Sequence, residues 1–293
     1  MTDAVVLRPG EGETITIRPE RSVVIKAAHE LLDLTESRYA DGEEGPAPHV
    51  HRRHADAFYV LEGELGFRIG AEGRELVAPA GTLVLVPANV VHSFFNESGA
   101  AARYLNVHAP SRGFAESLRV RRDGREYDQT LFDSFDPPAD GGRPISDVVV
   151  RGPGEGETVS MGGSSALFKA EISDGDGTLS LVESTLEPGF PGPVLHRHER
   201  TVDSFYVLEG TLTVRLGDDE REAGPGSYAF VPPGVVHSFA NRADEPVRML
   251  NLMAPGGFEQ YLKELAVALV PGEAPHPAVM ARIASRYDFR PAS

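Results

Sequence analysis

Short stretches in which apolar and polar residues alternate recur along the chain, as in ELGFRIG from Glu64 to Gly70 and TLTVRLG from Thr211 to Gly217. A period of two puts every second side chain on one face, which predicts half-buried β-strands. Gly and Pro interrupt the chain at short intervals, so the strands are short and joined by tight turns. Each half therefore reads as a small antiparallel barrel. Helical periodicity surfaces only late in each half. In FEQYLKELAVAL, residues Phe258, Tyr261, Leu262, Leu265 and Leu269 share one helical face, and a second short helix is predicted to start at Pro277, a favoured first-turn residue. The corresponding stretch of the first half, Gly113 to Phe135, is more charged and less clearly helical. These terminal helices are expected to cap the barrel mouths.

The strand pattern is written twice. FYVLEGEL at Phe58 to Leu65 returns as FYVLEGTL at Phe205 to Leu212, 147 residues on, and the same offset relates LDLTES (Leu32 to Ser37) to LSLVES (Leu179 to Ser184). VVHSFFN (Val90 to Asn96) returns as VVHSFAN (Val235 to Asn241) at offset 145, and PGEGET starts at both Pro9 and Pro153. The chain is a tandem duplication. Its boundary is expected in the turn-rich stretch Asp136 to Pro144, giving an N-terminal domain over 1–136 and a C-terminal domain over 145–293.

Composition narrows the chemistry. The 293 residues, 41% hydrophobic and 25% charged, suit an ordinary globular protein. There is no Cys, so disulfides, thiolate ligands and a cysteine nucleophile are excluded, and any metal must sit on His and carboxylate. A net charge of -16 and the lack of a Lys/Arg stripe argue against a nucleic-acid partner. The opening MTDAVVLRPGEGETITI lacks a basic and then apolar leader, and no apolar run of about 18 residues occurs, so neither a signal peptide nor a membrane span is expected and a cytoplasmic location follows.

The candidate chemistry lies in two histidine clusters per half. His49-Val50-His51 is followed by Asp56 and Gly63; at identical spacing the second half has His196, His198, Asp203 and Gly210. Side chains alternate across a strand, so both His of an H-X-H pair point to one face, about 7 Å apart along it. The four intervening residues allow a turn that sets the Asp on the next strand. Downstream, Gly81, Pro87, Asn89, His92 and Asn96 match Gly226, Pro232, Gly234, His237 and Asn241; Asn89 and Gly234 suit a left-handed backbone. His92 and His237 supply the fourth candidate ligand. Imidazole with carboxylate suits a divalent transition metal, one per domain, among Fe, Mn, Ni, Co, Cu and Zn.

These two clusters resemble the two signature motifs of the cupin superfamily, and their duplication resembles a bicupin, over nearly the whole chain. The resemblance implies an all-β fold of two tandem jelly-roll barrels, the double-stranded β-helix, with short helices after each barrel. It implies metal ligation by His49, His51, Asp56 and His92, and by His196, His198, Asp203 and His237. The family's acidic ligand is usually Glu; Asp is one methylene shorter, which leaves direct ligation, ligation through water, and a hydrogen bond to a His all open. Likeness to the quercetinase-like bicupins implies a dioxygenase acting on a small phenolic or enolisable molecule, and a homodimer is the expected assembly. A non-oxidative metalloenzyme and a non-catalytic binding barrel are the alternatives; oxalate decarboxylase-like bicupins fit poorly, because their Glu ligand is absent.

Three further residues are catalytic candidates. His108 in LNVHAP stands where the second half has Met253, so it is either a base or substrate contact, or a hydrogen-bonded structural His. Glu36 and Glu183 align across the repeat ahead of the ligand strands, as a possible general base or as strand-edge residues. His54, in the turn after the ligand pair, is expected in solvent, with His29 and His276 also at the surface.

Overall fold

The computed structural model describes residues 3–18, 21–269 and 276–292. The chain forms two compact units, each built of a larger and a smaller antiparallel sheet. In the unit that holds most of the first half, the seven-stranded sheet runs Val149–Arg151, Leu83–Val86, Ala55–Glu62, Ala102–Ala109, Leu32–Tyr39, Arg21–His29, Glu13–Arg18. Its smaller sheet runs Glu43–Glu44, His92–Asn96, Glu64–Ile69, Arg74–Pro79. In the other unit the larger sheet runs Val5–Leu7, Tyr228–Val231, Val202–Glu209, Val247–Ala254, Ser180–Leu186, Ser164–Ala170, Glu157–Ser160, and the smaller runs Asp219–Ala223, Leu212–Leu216, His237–Ala240, His196–Arg197, Arg290–Pro291.

A cut at Asp136 to Pro144 does not reproduce these units. Residues 3–11 belong with the second half and residues 145–155 with the first. The reason is strand pairing: Val5–Leu7 hydrogen-bonds to Tyr228–Val231, and Val149–Arg151 to Leu83–Val86, so each half's leading strand completes the other half's sheet. The repeated PGEGET turns follow these exchanged strands.

The alternation read in the sequence decides which faces are buried. Leu65, Phe67 and Ile69 point into the first barrel while Glu64 is exposed, and Leu212 and Val214 do the same in the second. The first core is aromatic: Tyr39, Phe58, Phe67, Phe94 and Tyr104 pack with centroids 4.9 to 6.5 Å apart, a range in which edge-to-face and tilted pairs are favourable. The matching second-barrel positions are Leu186, Phe205, Val214, Phe239 and Met249, with two rings among five. Another exchange is compensated across the strands. Gly66 faces Phe95 in the first barrel, where a Cβ on Gly66 would meet the Phe95 ring, and Thr213 faces Ala240 at the same register in the second.

Each barrel is followed by helix, as expected. Phe114–Arg122 follows the first, with a 3-10 turn at Gln129–Phe132; Glu259–Ala268 and Pro277–Ala284 follow the second. No helix among the described residues is long and apolar enough to cross a membrane.

Candidate metal centres

In each barrel the cluster is assembled from both sheets. His49 exchanges two main-chain hydrogen bonds with His92, each 3.0 Å, and His196 pairs with His237 in the same register. These residues lie on the smaller-sheet side; Asp56 and Asp203 stand on larger-sheet strands, opposite His108 and Met253. The H-X-H segment is tied to the downstream cluster by a 2.6 Å bond from Asn89 N to His51 O, repeated as Gly234 N to His198 O. Asn89 does adopt the left-handed backbone, φ 68°, like Gly234 at 88°. Asn96 and Asn241, which close the motif, serve the backbone: each side-chain amide donates to three main-chain carbonyls.

Ring spacing is nearly the same in the two sets. His49–His51, His49–His92 and His51–His92 centroids are 4.9, 4.4 and 5.2 Å apart; the second-barrel values are 5.0, 4.4 and 5.4 Å. All six rings are held the same way. The Nδ1 atoms of His49, His51 and His92 meet the main-chain oxygens of Ala47, Asp133 and Val90, each at 2.9 Å. Those of His196, His198 and His237 meet Val194, Asp288 and Val235 oxygens. A carbonyl only accepts, so every Nδ1 carries a proton, and in the neutral ring every Nε2 presents a lone pair. The Nε2 lone pairs face Asp56 Oδ2 at 3.3 and 3.7 Å and Asp203 Oδ2 at 3.1 and 3.5 Å. Acceptors facing acceptors in a buried site call for a cation, and the buried Nε2 atoms of His51 and His198 have no hydrogen-bond partner. The two His/Asp groups can thus each hold a metal ion.

The shorter Asp reaches the cluster. Its second oxygen is taken: Asn106 and Asn251 donate to Asp56 Oδ1 and Asp203 Oδ1, leaving Oδ2 toward the histidines. Protonation states suit ligation. Burial and then the rings of His237 and His198 push His196 down to about 3, and burial with its two partner rings pushes His49 well below the ordinary value. Burial raises both carboxyls, but their histidine neighbours outweigh it and hold Asp56 and Asp203 well below the usual carboxylate range. Among these groups His198 moves up, burial being outweighed by the Asp203 carboxylate 3.5 Å from its Nε2.

The three catalytic candidates are not at an open site. Glu36 and Glu183 sit one residue out of phase with the inward-facing Ser37 and Ser184, so they point away from the barrel interior. Glu36 pairs with Lys26 at 3.2 Å and Arg103 at 2.9 Å, and Glu183 pairs with Arg248. His108 is buried at 2% exposure, stacked on Phe114 at 3.9 Å, with both ring nitrogens engaged: Nδ1 with His54 Nε2 at 2.9 Å and Nε2 with Asn106 Oδ1 at 3.0 Å. His54, expected in solvent, is also buried at 2%, with Nδ1 2.8 Å from Asp133 Oδ2. It is drawn inward because a carboxylate and a second imidazole satisfy it there. His276 is exposed, and His29 partly so.

Two residues escaped the sequence reading. Asp133 and Asp288 return from the end of each half to the ligand segment, each presenting its main-chain oxygen to the second His of H-X-H. Their carboxylates accept from Arg53 N and His54, or from Glu199 N, Arg200 N and Thr201 Oγ1. Phe289 stacks on His196 at 4.2 Å, and Arg290–Pro291 pairs with His196–Arg197. The aromatic-Asp pairs Phe132-Asp133 and Tyr287-Asp288 were the available signal.

The surroundings diverge. A cavity of about 810 Å³ opens on His196 and Asp203, lined by barrel residues such as Leu186, Phe190 and Phe239, and by Tyr261, Leu262 and Met280 of the two terminal helices.

Comparison with known proteins agrees with this architecture. The family described as "Cupin domain" matches residues 35–108 and again 182–253. Quercetin 2,3-dioxygenase of Bacillus subtilis (strain 168) is 27% identical over 295 residues, covering 89% of this chain and 85% of that protein. The structure of oxalate decarboxylase from Bacillus subtilis at pH 4.6 superposes with a TM-score of 0.60 at 15% identity, covering 94% of this chain and 87% of that one. Two sheets per barrel, a His/Asp group in each and a family match in each half lead to one assignment: the chain belongs to the cupin superfamily, as a bicupin with one cupin domain in each half.

Proposed function

We propose that this bicupin is a metal-dependent dioxygenase acting on a small phenolic or enolisable organic molecule, and that the second barrel is where it reacts. The observation that carries the proposal is the cavity of about 810 Å³, which leads an apolar ligand to His196 and Asp203. Its polar side chains are few: Ser160, Ser164, Ser165, Ser184, Asn251 and Tyr261 besides the two metal-group residues. A few polar groups in an apolar cleft orient a small molecule without demanding charge. Among the described residues no Lys or Arg lines the cavity, so a small dianion would find no side-chain counter-charge there, which favours this reading over decarboxylation of a dicarboxylate. The 27% identical relative named quercetin 2,3-dioxygenase supports the same reaction class.

A divalent ion held by His196, His198, His237 and Asp203 supplies Lewis acidity and open positions where a substrate oxygen and dioxygen can be brought together. The chain's own groups prepare that place. Asn251 occupies one Asp203 oxygen and so orients the other, while the Val194, Asp288 and Val235 carbonyls fix the ring tautomers. Burial pushes the Tyr261 phenol up to about 12, so it remains a neutral donor at physiological pH. The apolar walls exclude bulk water from the reacting groups.

Oxygen uptake tests the proposal. Metal-replete protein given flavonols, catechols and β-diketones is expected to consume oxygen above a His49→Ala/His196→Ala double variant. Equal uptake by the two proteins overturns it, and turnover under strict anaerobiosis redirects it to non-oxidative Lewis-acid chemistry.

A further inference from the structure

The first barrel carries a group of side chains that the second lacks. His54 and His108 stand where the second barrel has Thr201 and Met253, and the two rings meet edge to edge, His54 Nε2 lying 2.9 Å from His108 Nδ1. Their outer hydrogen bonds fix both tautomers. Asp133 Oδ2 accepts, and the same carboxylate also takes Arg53 N and Nε, so His54 Nδ1 carries a proton. Asn106 turns its amide nitrogen to Asp56 Oδ1 and Ala57 O, which leaves Asn106 Oδ1 facing His108 Nε2, so that nitrogen also carries a proton. The remaining nitrogens, His54 Nε2 and His108 Nδ1, are then two lone pairs facing one another. A cation shared between them, either one proton or a metal ion, satisfies that contact.

A third lone pair faces the same place. His51 Nε2 is buried without a hydrogen-bond partner, its ring stacks on His54 at 4.1 Å, and one ligand nitrogen from each of His51, His54 and His108 lies within 4.8 Å of the others. Nitrogens bound at about 2.0–2.1 Å to one ion lie roughly 2.9–3.4 Å apart at bond angles of about 90–110°, and the His54–His108 separation is already in that range. The outer partners, a carboxylate on one imidazole and an amide oxygen on the other, are those that orient metal-bound histidines.

We infer that His51, His54 and His108 form a second metal site in the first barrel, an all-imidazole site that takes a nitrogen-preferring ion of the Cu²⁺ or Zn²⁺ class. His51 has a single free lone pair, so this site and the His49/His51/Asp56/His92 site are alternatives for one ion. The three-imidazole site offers no carboxylate and disfavours harder ions such as Mn²⁺, so the two sites sort ions by type. Among the described residues the second barrel, with Thr201 and Met253, has only the His/Asp set.

The test uses the full chain with the second barrel silenced by His196→Ala, His198→Ala and His237→Ala, and the first barrel's other set removed by His49→Ala and His92→Ala. This protein is expected to bind close to one equivalent of Cu²⁺, with a nitrogen-rich paramagnetic resonance spectrum. Adding His54→Thr and His108→Met, the second barrel's own residues, is expected to weaken binding by at least about 10-fold. No bound copper in a folded protein, or an affinity unmoved by His54→Thr/His108→Met, overturns the proposal. Should the heavily substituted chain not fold, the same pair of changes is made with only the second barrel silenced. There the Cu²⁺ spectrum is expected to change from two nitrogen environments to one, and an unchanged spectrum overturns the site.

Discussion

The two barrels hold matching ligand rings, with centroid spacings that agree within 0.2 Å, inside very different interiors. In the first, five aromatic rings fill the core and His54 and His108 stack behind the ligands. In the second, three of those rings are aliphatic, both extra histidines are gone, and a cavity reaches the metal group. His49 is partly exposed while His196 is buried beneath Phe289. The ligand geometry is set by hydrogen bonds from each ring to the backbone, so it survives wholesale change of the residues behind it. Duplication has left one coordination frame and two uses for the space around it.

The largest test of this contrast is a pair of ligand cuts. Removing an outer partner of a metal site commonly costs 10–100-fold, so removing a ligand by His196→Ala is expected to lower oxygen uptake by at least about 100-fold. The same cut in the first barrel, His49→Ala, should cost less than a tenth of that; equal losses would break the assignment of the reaction to the second barrel. Next in size is the returning carboxylate. Asp288→Ala is expected to weaken metal retention in the second barrel by about 10–100-fold in chelator competition, with Asp288→Asn recovering part of it because an amide oxygen still accepts from Glu199 N or Arg200 N. If Asp288→Ala retains its ion fully, the main-chain carbonyl alone suffices.

How much of this was legible in advance follows from what is local. The strands announce themselves through period two, and the eight ligand candidates through a spacing written twice. What escaped involves distant pairing. His54 and His108 meet across 54 residues and Asp133 meets His51 across 82, which no window on the chain contains. Asp288 lies 155 residues after Asp133 rather than 147, so it falls out of the main repeat register. Glu36 and Glu183 mark a different limit. Alignment across the repeat shows that two positions correspond, but only their phase against Ser37 and Ser184 shows which way they face.

Smaller effects sharpen the comparison of the cores. Gly66→Thr places a side chain against the Phe95 ring and is expected to cost about 1–3 kcal/mol in urea unfolding. Phe95→Ala, which reproduces the Thr213/Ala240 pair of the second barrel, should recover much of that in a double-mutant cycle; simple additivity would mean that the two exchanges are unrelated. Acid should act on the ion-free protein in a set direction. Burial chiefly lowers His29, His49, His108 and His196 in the folded state, so the unfolded chain binds more protons as pH falls through about 6.5 and folding is progressively lost. His198 opposes this, since its raised value adds stability below about 6.5 that disappears as pH rises through the folded value. Four against one, the urea midpoint is expected to fall between about pH 7 and pH 5, and a flat profile would contradict it. Smallest of all, Glu183→Gln should leave kcat unchanged within about 2-fold, since the carboxylate faces away from the cavity; an effect near 10-fold on kcat would return it to the site.

The exchanged leading strands give the gene a constraint of its own. Val5–Leu7 and Val149–Arg151 each close a sheet whose other strands are encoded in the opposite half. A recombination event that lifts out either half at the linker carries away one strand it does not need and leaves behind one it does, exposing a row of unpaired backbone groups on the remaining sheet. The duplicated gene can therefore diverge within its halves, one interior growing aromatic and the other open, but it is not easily dismantled into them, and the two barrels are inherited as a single heritable unit.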